Sequence, residues 1–284
     1  MRIDLHVHSN VSDGTESPTR LVFAAQEAGL DVIGLCDHDT FDGLAEAREA
    51  GRRIGLAVLP GVEMSTRYKE RPVHLLGYGC DPWNRPLRLE LTKLRASRVN
   101  RLQRFLDKLS ELGMPLTAED VRESKGLSPS LGRPHIADAL VAKGYVANRD
   151  EAFAKYLGDG KPAYVERYAT PIEEAIRLIR GAKGLAVIAH PWGPGAKDVL
   201  TGDALAELAK AGLEGIEVDH TDHDPRSREM LTQLGARTGL IRTGSSDYHG
   251  TGKSHNPLGI NTTRPTAYQE IVNRIAARGG MGPN

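Results

Sequence analysis

Arg2-Ile3-Asp4-Leu5-His6-Val7-His8 alternates apolar and polar residues and ends in two imidazoles one residue apart. On a strand, side chains alternate with period two, so His6 and His8 share a face. Working outward, six further segments read as strands: Asp31–His38, Ala57–Ser65, Pro72–Gly79, Gly184–His190, Gly215–His220 and Ile241–His249. Most are apolar runs longer than simple alternation gives, as in strands buried on both faces. Helical stretches at Pro18–Ala28, Gly43–Ile54, Pro171–Gly181 and Ala204–Ala211 lie between several of them. Strand alternating with helix predicts parallel βαβ units, and so an α/β barrel or a doubly wound sheet.

One join differs. About six residues separate Ser65 from Pro72, too few for a parallel crossover, so that pair is expected to be antiparallel. Glu63 would then lie near His74. From Pro82 to Tyr164 the strand–helix rhythm stops. Leu87, Leu91, Leu94, Leu102, Leu106 and Leu109 recur at helical spacing within Leu87–Leu112, and shorter helices are expected at Ala118–Glu123, His135–Lys143 and Arg149–Leu157. This stretch reads as an inserted helical subdomain (82–164), with 1–81 and 165–284 forming the main domain. The tail from Gly279 is expected to fray.

Composition narrows the function classes. Lys+Arg and Asp+Glu balance at 37 each, which argues against indiscriminate binding to nucleic acid or to an anionic membrane, and no extended nucleic-acid surface is expected. No apolar run reaches the length of a membrane span, and Met1 leads directly into Arg-Ile-Asp-Leu without a leader pattern, so a cytoplasmic protein is expected. Cys36 and Cys80, in apolar strand-like contexts, read as small core residues rather than a disulfide framework.

Chemistry gathers where the strand-like runs end: Asp4-Leu5-His6-Val7-His8, Cys36-Asp37-His38-Asp39, Gly61-Val62-Glu63, Ala189-His190-Pro191, Val218-Asp219-His220 and Ser246-Asp247-Tyr248-His249. In α/β folds the carboxyl ends of strands form the rim on which active sites assemble. Each piece has a bland alternative: His6 and His8 as a plain polar strand end, Asp13 as a turn residue, Asp37-His38-Asp39 as a helix cap, Glu63 as an ion-pair partner, His74 as a core histidine, His190-Pro191 as a strand stop. Six such accidents on one rim are a poorer account than one metal centre.

In this order the motifs resemble the PHP (polymerase and histidinol phosphatase) family. They comprise Asp4-Leu5-His6-Val7-His8-Ser9 with Ser12-Asp13-Gly14, then Asp37-His38-Asp39-Thr40, Gly61-Val62-Glu63, His74, His190-Pro191 and Ser246-Asp247-Tyr248-His249. The resemblance runs from residue 2 to about 260 apart from the insertion, and is strongest to stand-alone bacterial phosphoesterases acting on nucleotides. It implies a distorted seven-stranded barrel with a helical insertion, in which Gly132-Arg133-Pro134-His135 is similar to a family motif. It also implies two to three divalent ions: His6, His8, Glu63 and Asp247 for the first, Glu63 with His74 and His190 for the second, and Asp13, His38 and His249 for the third. One departure is Asp219, where such relatives commonly carry an aromatic residue beside the leaving-group pocket.

This donor set suits phosphate. Three divalent ions against three carboxylates leave about +3, or about +2 with a bridging hydroxide, a match for a phosphate monoester dianion. Mixed nitrogen and oxygen ligation favours Mn²⁺, Fe²⁺ or Zn²⁺ over soft metals, and Mn²⁺ is the expectation. For the substrate, Arg133 offers a bidentate fork to phosphate, His135 and His220 could donate to phosphate or protonate the leaving oxygen, and Ser246 could contact phosphate. His223 and His255 read as surface residues. The expected activity is hydrolysis of nucleotide phosphomonoesters: nucleoside 5′-monophosphates, 3′,5′-bisphosphates, or 5′ ends of short oligoribonucleotides. Histidinol phosphate is the competing substrate. An amidohydrolase-type C–N hydrolase would carry a lone Asp on an eighth strand and no Asp-His-Asp. A non-catalytic PHP-like module would have lost ligands, and none is lost.

Overall fold

The structure, a computed structural model, describes residues 1–124, 133–158, 160–193 and 196–284, with the side chain of residue 99 excepted. It divides into two compact units, Met1–Thr92 with Ala169–Asn284, and Lys93–Tyr168.

The first unit is α/β. Strands β1 (Ile3–Val7), β2 (Val32–Leu35) and β3 (Ala57–Pro60) form a parallel three-stranded sheet in that order. Strands β4 (Glu63–Tyr68), β5 (Arg71–Tyr78), β6 (Thr170–Pro171), β7 (Leu185–Ile188), β8 (Gly215–Asp219) and β9 (Ile241–Gly244) form a mixed sheet ordered β6-β4-β5-β7-β8-β9. Among the described residues, the expected seven strands are thus nine in two sheets, linked by isolated parallel bridges at Val7–Tyr248 and His38–Glu63. All seven expected segments contain a strand. One of them, Ala57–Ser65, breaks at Gly61-Val62, because its first half pairs with β2 and its second with β5. A side chain at Gly61 would meet Cys36 Sγ at 2.5 Å and the Leu35 carbonyl at 2.8 Å, so only glycine lets the chain cross there. The short β4–β5 hairpin is antiparallel, with Ser65 opposite His74.

Helices cover the sheets for reasons visible in their sequences. Helix α1 (Pro18–Glu27) starts on a Ser17 cap with Pro at its first position, and α2 (Leu44–Ile54) stops at Gly55 in the left-handed conformation. In the helix Ile172–Gly181, Ile172, Ala175, Ile176 and Ile179 recur at helical spacing and are fully buried. Two helices without an expected counterpart follow β8 and β9, at Pro225–Thr238 and Pro265–Ala277. Both carry Pro in the first turn, and the former has an Asp224 cap and a left-handed Gly239, signals that mark helix ends. The tail is not frayed. The Met281 N–H donates to the Gly79 carbonyl, and the Asn284 side chain takes the N–H of Val58. Cys36 and Cys80 are buried and unbridged, as expected.

The second unit is helical, containing most of α3 (Arg85–Glu111), then α4 (Ala118–Glu123), α5 (Arg133–Ala142) and α6 (Arg149–Ala152), which continues as a π-helical turn, Phe153–Leu157. Phe105, Leu109, Val121, Ile136, Leu140 and Leu157 are in its core. Among the described residues, no helix is long and apolar enough to cross a membrane.

Candidate metal centre

On β1, Asp4, His6 and His8 share one face while Ile3, Leu5 and Val7 pack into apolar clusters on the other. Beyond β1 the chain turns so tightly that a side chain at Gly14 would sit 2.4 Å from the His8 carbonyl, and this brings Asp13 back over His8. Asp37 holds that turn. It accepts from the Ser9 N–H at 2.8 Å, from Ser9 Oγ at 2.7 Å and from Ser12 Oγ at 2.7 Å. Asp39 accepts from Ser65 N–H and Oγ, so neither carboxylate caps α2, whose N-cap is Gly43. Asp4 takes the Ser246 N–H at 3.0 Å and the Gly259 N–H at 2.9 Å, and its burial pushes its carboxyl up to about 6.

Glu63 is the hub. Its Oε2 lies 3.3 Å from His6 Nε2, 3.2 Å from His8 Nε2 and 3.1 Å from His38 Nδ1; its Oε1 lies 2.9 Å from His74 Nδ1 and 3.3 Å from His190 Nε2. Asp247 Oδ1 lies 3.5 Å from His6 Nε2 and 3.3 Å from His8 Nε2. Asp13 lies 3.2 Å from His249 Nε2 and 3.6 Å from His38 Nε2. Among the described residues, three sets of donor atoms converge closely enough to hold an ion: His6, His8, Glu63 and Asp247; His8, Asp13, His38 and His249; and His38, Glu63 and His74. All nine residues expected as ligands are brought together. His190 approaches Glu63 without joining the third set, whose place His38 takes.

The donor chemistry fits divalent cations. Oxygens and imidazole nitrogens converge without thiolate, and several of these buried atoms lack a hydrogen bond. Buried His38 Nδ1, His74 Nδ1, His220 Nε2 and Asp247 Oδ1 have no partner in hydrogen-bonding geometry, although each faces a neighbour within 4 Å. Atoms that approach without satisfying one another are arranged around a shared point, as ligands are. Charge is concentrated as well. Burial opposes ionisation of Glu63, yet His38, His74 and His6 hold its carboxyl well below the usual range; Asp247 is likewise held down, by His6, His220 and His8. Burial pulls His6 down, but Glu63, Glu217 and Asp247 overcome it and hold it well above its ordinary value. Three residues outside the glycine menu take left-handed backbone at or beside the cluster, Asp39 (φ 57°), His190 (φ 27°) and Asp247 (φ 53°). Such strain costs about 1–3 kcal/mol each and concentrates at functional sites.

A cleft of about 230 Å³ opens beside the cluster, walled by His74, His190, Asp222, Asp247 and Lys253. Its size suits a phosphoryl group with part of a sugar. The Asp222 N–H donates to His220 Nδ1 at 3.1 Å, which leaves the proton of a neutral ring on Nε2, 3.7 Å from Asp247 Oδ2. Ser246 is buried with its N–H committed to Asp4. Asp219 makes a two-point ion pair with Arg242. His223, expected at the surface, is buried: its ring takes the Trp192 N–H and faces the Val218 carbonyl, so it supports the turn after β8. His255 is exposed.

Arg133 and His135 belong to the second unit, at the start of α5; Gly132 lies outside the described residues. The Arg133 guanidinium stacks between Phe153 and Tyr164, with centroids at 5.9 and 5.6 Å, and donates to the Leu157 carbonyl. His135 lies one turn from Asp138, whose carboxylate pairs with Arg149. Two residues that no motif marks are Lys253, whose Nζ lies 2.6 Å from Asp247 Oδ2, and Glu217, a fully buried carboxylate. For Glu217 the available signal is an acid standing alone within the apolar run Gly215-Ile216-Glu217-Val218.

Residues 4–116 match the family model of the PHP domain. A 5′-3′ exoribonuclease of Haemophilus influenzae is 34% identical over 87% of this chain and 90% of its own. A 3′,5′-nucleoside bisphosphate phosphatase of Chromobacterium violaceum is 33% identical over 97% of each chain. Among solved structures, one from Bifidobacterium adolescentis, named for a metal-dependent phosphoesterase, superimposes with a TM-score of 0.80 at 38% identity over 96% of both chains. Another, from C. violaceum, is named an amidohydrolase and carries sulfate without metal; it has a TM-score of 0.77 at 32% identity over 96% of this chain and 97% of its own.

Proposed function

Because the chain belongs to the PHP family and is a metal-dependent phosphoesterase, we propose that it hydrolyses phosphomonoesters of nucleotides, with 3′,5′-bisphosphates and the 5′ ends of short oligoribonucleotides as the favoured substrates. One observation carries this reading: nine metal-type side chains from widely separated segments, Glu63 among them, converge beside a phosphate-sized cleft.

His6, His8, Glu63 and Asp247 would hold one ion, Asp13, His38 and His249 a second, and Glu63 with His74 and His190 a third; Mn²⁺ suits these donors. Bound there, divalent ions supply an activated water and positive charge that clamps the phosphoryl oxygens. The chain's own groups do the rest. Glu63 touches five imidazoles and fixes the centre's geometry. His220, with its proton directed to Nε2 by the Asp222 N–H, can donate to the departing oxygen. Lys253, on the cleft wall, adds a cation for the phosphate. The two sheets, joined by their bridges, would act as one distorted barrel wall around the site. The helical insertion would select the substrate, with Arg133 and His135 reading a second phosphate.

The test is phosphate release by the purified protein with Mn²⁺, across nucleoside 5′-monophosphates, 3′,5′-bisphosphates, short RNA and histidinol phosphate. Nucleotide substrates are expected to lead. Preference for histidinol phosphate would replace this reading.

A further inference from the structure

Glu217 lies on β8, fully buried, and each of its oxygens is engaged. Oε1 accepts from His6 Nδ1 at 3.2 Å and from the Ser245 hydroxyl; Oε2 accepts from the His190 N–H at 2.9 Å. The three donors come from β1 and from the ends of β7 and β9. A carboxylate that already takes the His190 N–H on Oε2 and the Ser245 hydroxyl on Oε1 presents only acceptor lone pairs to His6. His6 therefore carries a proton on Nδ1 and offers its other nitrogen to the cluster. That nitrogen, Nε2, lies 3.0 Å from His8 Nε2 and 3.3 Å from Glu63 Oε2. His190 takes the left-handed backbone that aims its own Nε2 at Glu63 Oε1, 3.3 Å away, and its N–H bond to Glu217 pins that turn. Ser245 stands two residues before Asp247.

We propose that Glu217 is the positioning residue of this centre: it directs His6 to bind a divalent cation through Nε2 and fixes the backbone that presents His190. The proposal rests on the metal reading given above. Partners of this kind, one layer behind the ligands, orient imidazoles and raise their basicity.

Glu217→Gln keeps the shape but replaces one acceptor oxygen with an NH₂ donor, so a donor must face either the His190 N–H or the His6–Ser245 pair. By calorimetry, the variant's affinity for Mn²⁺ is expected to fall by about 10–100-fold while the metal-free protein melts as the parent does. An affinity within about threefold of the parent's overturns the proposal, and so does a lowered melting temperature with unchanged affinity. If the variant does not fold, the parent decides. Labelled with ¹⁵N-histidine and loaded with Zn²⁺, it should show a His6 proton on Nδ1, protected from exchange; a proton on Nε2 overturns the proposal. A parent that binds no Mn²⁺ sinks the metal reading itself, whereas a parent that binds while Glu217→Gln matches it sinks only this inference.

Discussion

His38 and Glu63 meet twice: their backbones form an isolated parallel bridge, and His38 Nδ1 lies 3.1 Å from Glu63 Oε2. One of the two bridges that link the three-stranded sheet to the mixed sheet is thus also a contact inside the metal centre. The Asp39 N–H donates to the Glu63 carbonyl at 2.9 Å and the Glu63 N–H to Asp37 at 3.3 Å, so the backbone secures the join while the side chains converge on it. An ion bound here would tie the two sheets together, and its binding free energy adds to the stability of the fold.

That coupling can be measured. The purified protein is expected to carry two to three divalent ions per chain. Stripping with chelator and restoring Mn²⁺ to about 100 times its dissociation constant adds about 2.7 kcal/mol, raising the melting temperature by about 5–10 °C. A content of one ion or fewer after careful reconstitution contradicts a multinuclear centre.

His8→Ala and Asp247→Ala are expected to abolish turnover and leave a folded protein, because the apolar clusters lie on the other face of β1 and around the sheets. Circular dichroism checks the fold and phosphate release the activity. Turnover within about tenfold of the parent, or roughly 1.4 kcal/mol of barrier, means that these residues are not ligands.

Much of this site was legible because strand period and metal chemistry leave local marks. His6-Val7-His8 declares one face of a strand, and the six residues between Ser65 and Pro72 permit only a hairpin, which brings Glu63 near His74. What stayed hidden depends on long-range contact. The break at Gly61 arises because Cys36 Sγ and the Leu35 carbonyl crowd that position from another strand. His223 is spaced like a surface residue, and only the fold shows it enclosed between Val218 and Trp192. Glu217 stands out only as an acid within an apolar run, and its role stays hidden for the same reason, since its partners His6, His190 and Ser245 are 211, 27 and 28 residues away. The helices after β8 and β9 were readable from their Pro and Gly signals.

Both thiols should be inert in the native protein. Burial pushes Cys80 up to about 12 and Cys36 well above its usual value of 9.0. Alkylation at pH 8 is expected only at the rate of unfolding, and to become fast in denaturant. The sign on stability follows: a raised folded-state pKa stabilises fully below about 9, and this contribution is lost as pH climbs toward 12. Rapid labelling of either thiol in the native state contradicts the placement.

Hydrolysis should proceed without a covalent intermediate. Among the described residues, those walling the cleft include no Ser, Thr or Cys, and the nearby Ser9 hydroxyl is committed to Asp37. With a substrate whose phosphoryl group is made chiral by oxygen isotopes, the released phosphate is expected to show inversion, the mark of a single in-line displacement by water. Net retention indicates a phospho-enzyme and overturns the mechanism.

Arg133 separates a substrate-reading insertion from a merely structural one. Its guanidinium already stacks on Phe153 and Tyr164 and donates to the Leu157 carbonyl, so it is held in place within the helical unit. Aromatic stacking leaves guanidinium N–H groups able to fork onto a phosphate. A nucleoside 3′,5′-bisphosphate carries a second phosphate remote from the reacting one, and p-nitrophenyl phosphate does not. Arg133→Ala is therefore expected to lower kcat/KM for the bisphosphate by an amount on the order of 2–4 kcal/mol, the scale of a charged hydrogen-bonded pair that loses a partner, and to leave the simple ester nearly unchanged. Equal losses on both substrates place Arg133 at the reacting phosphate. No loss on either, with a lowered melting temperature, makes the stacked arginine a structural element of the helical unit and removes it from substrate recognition.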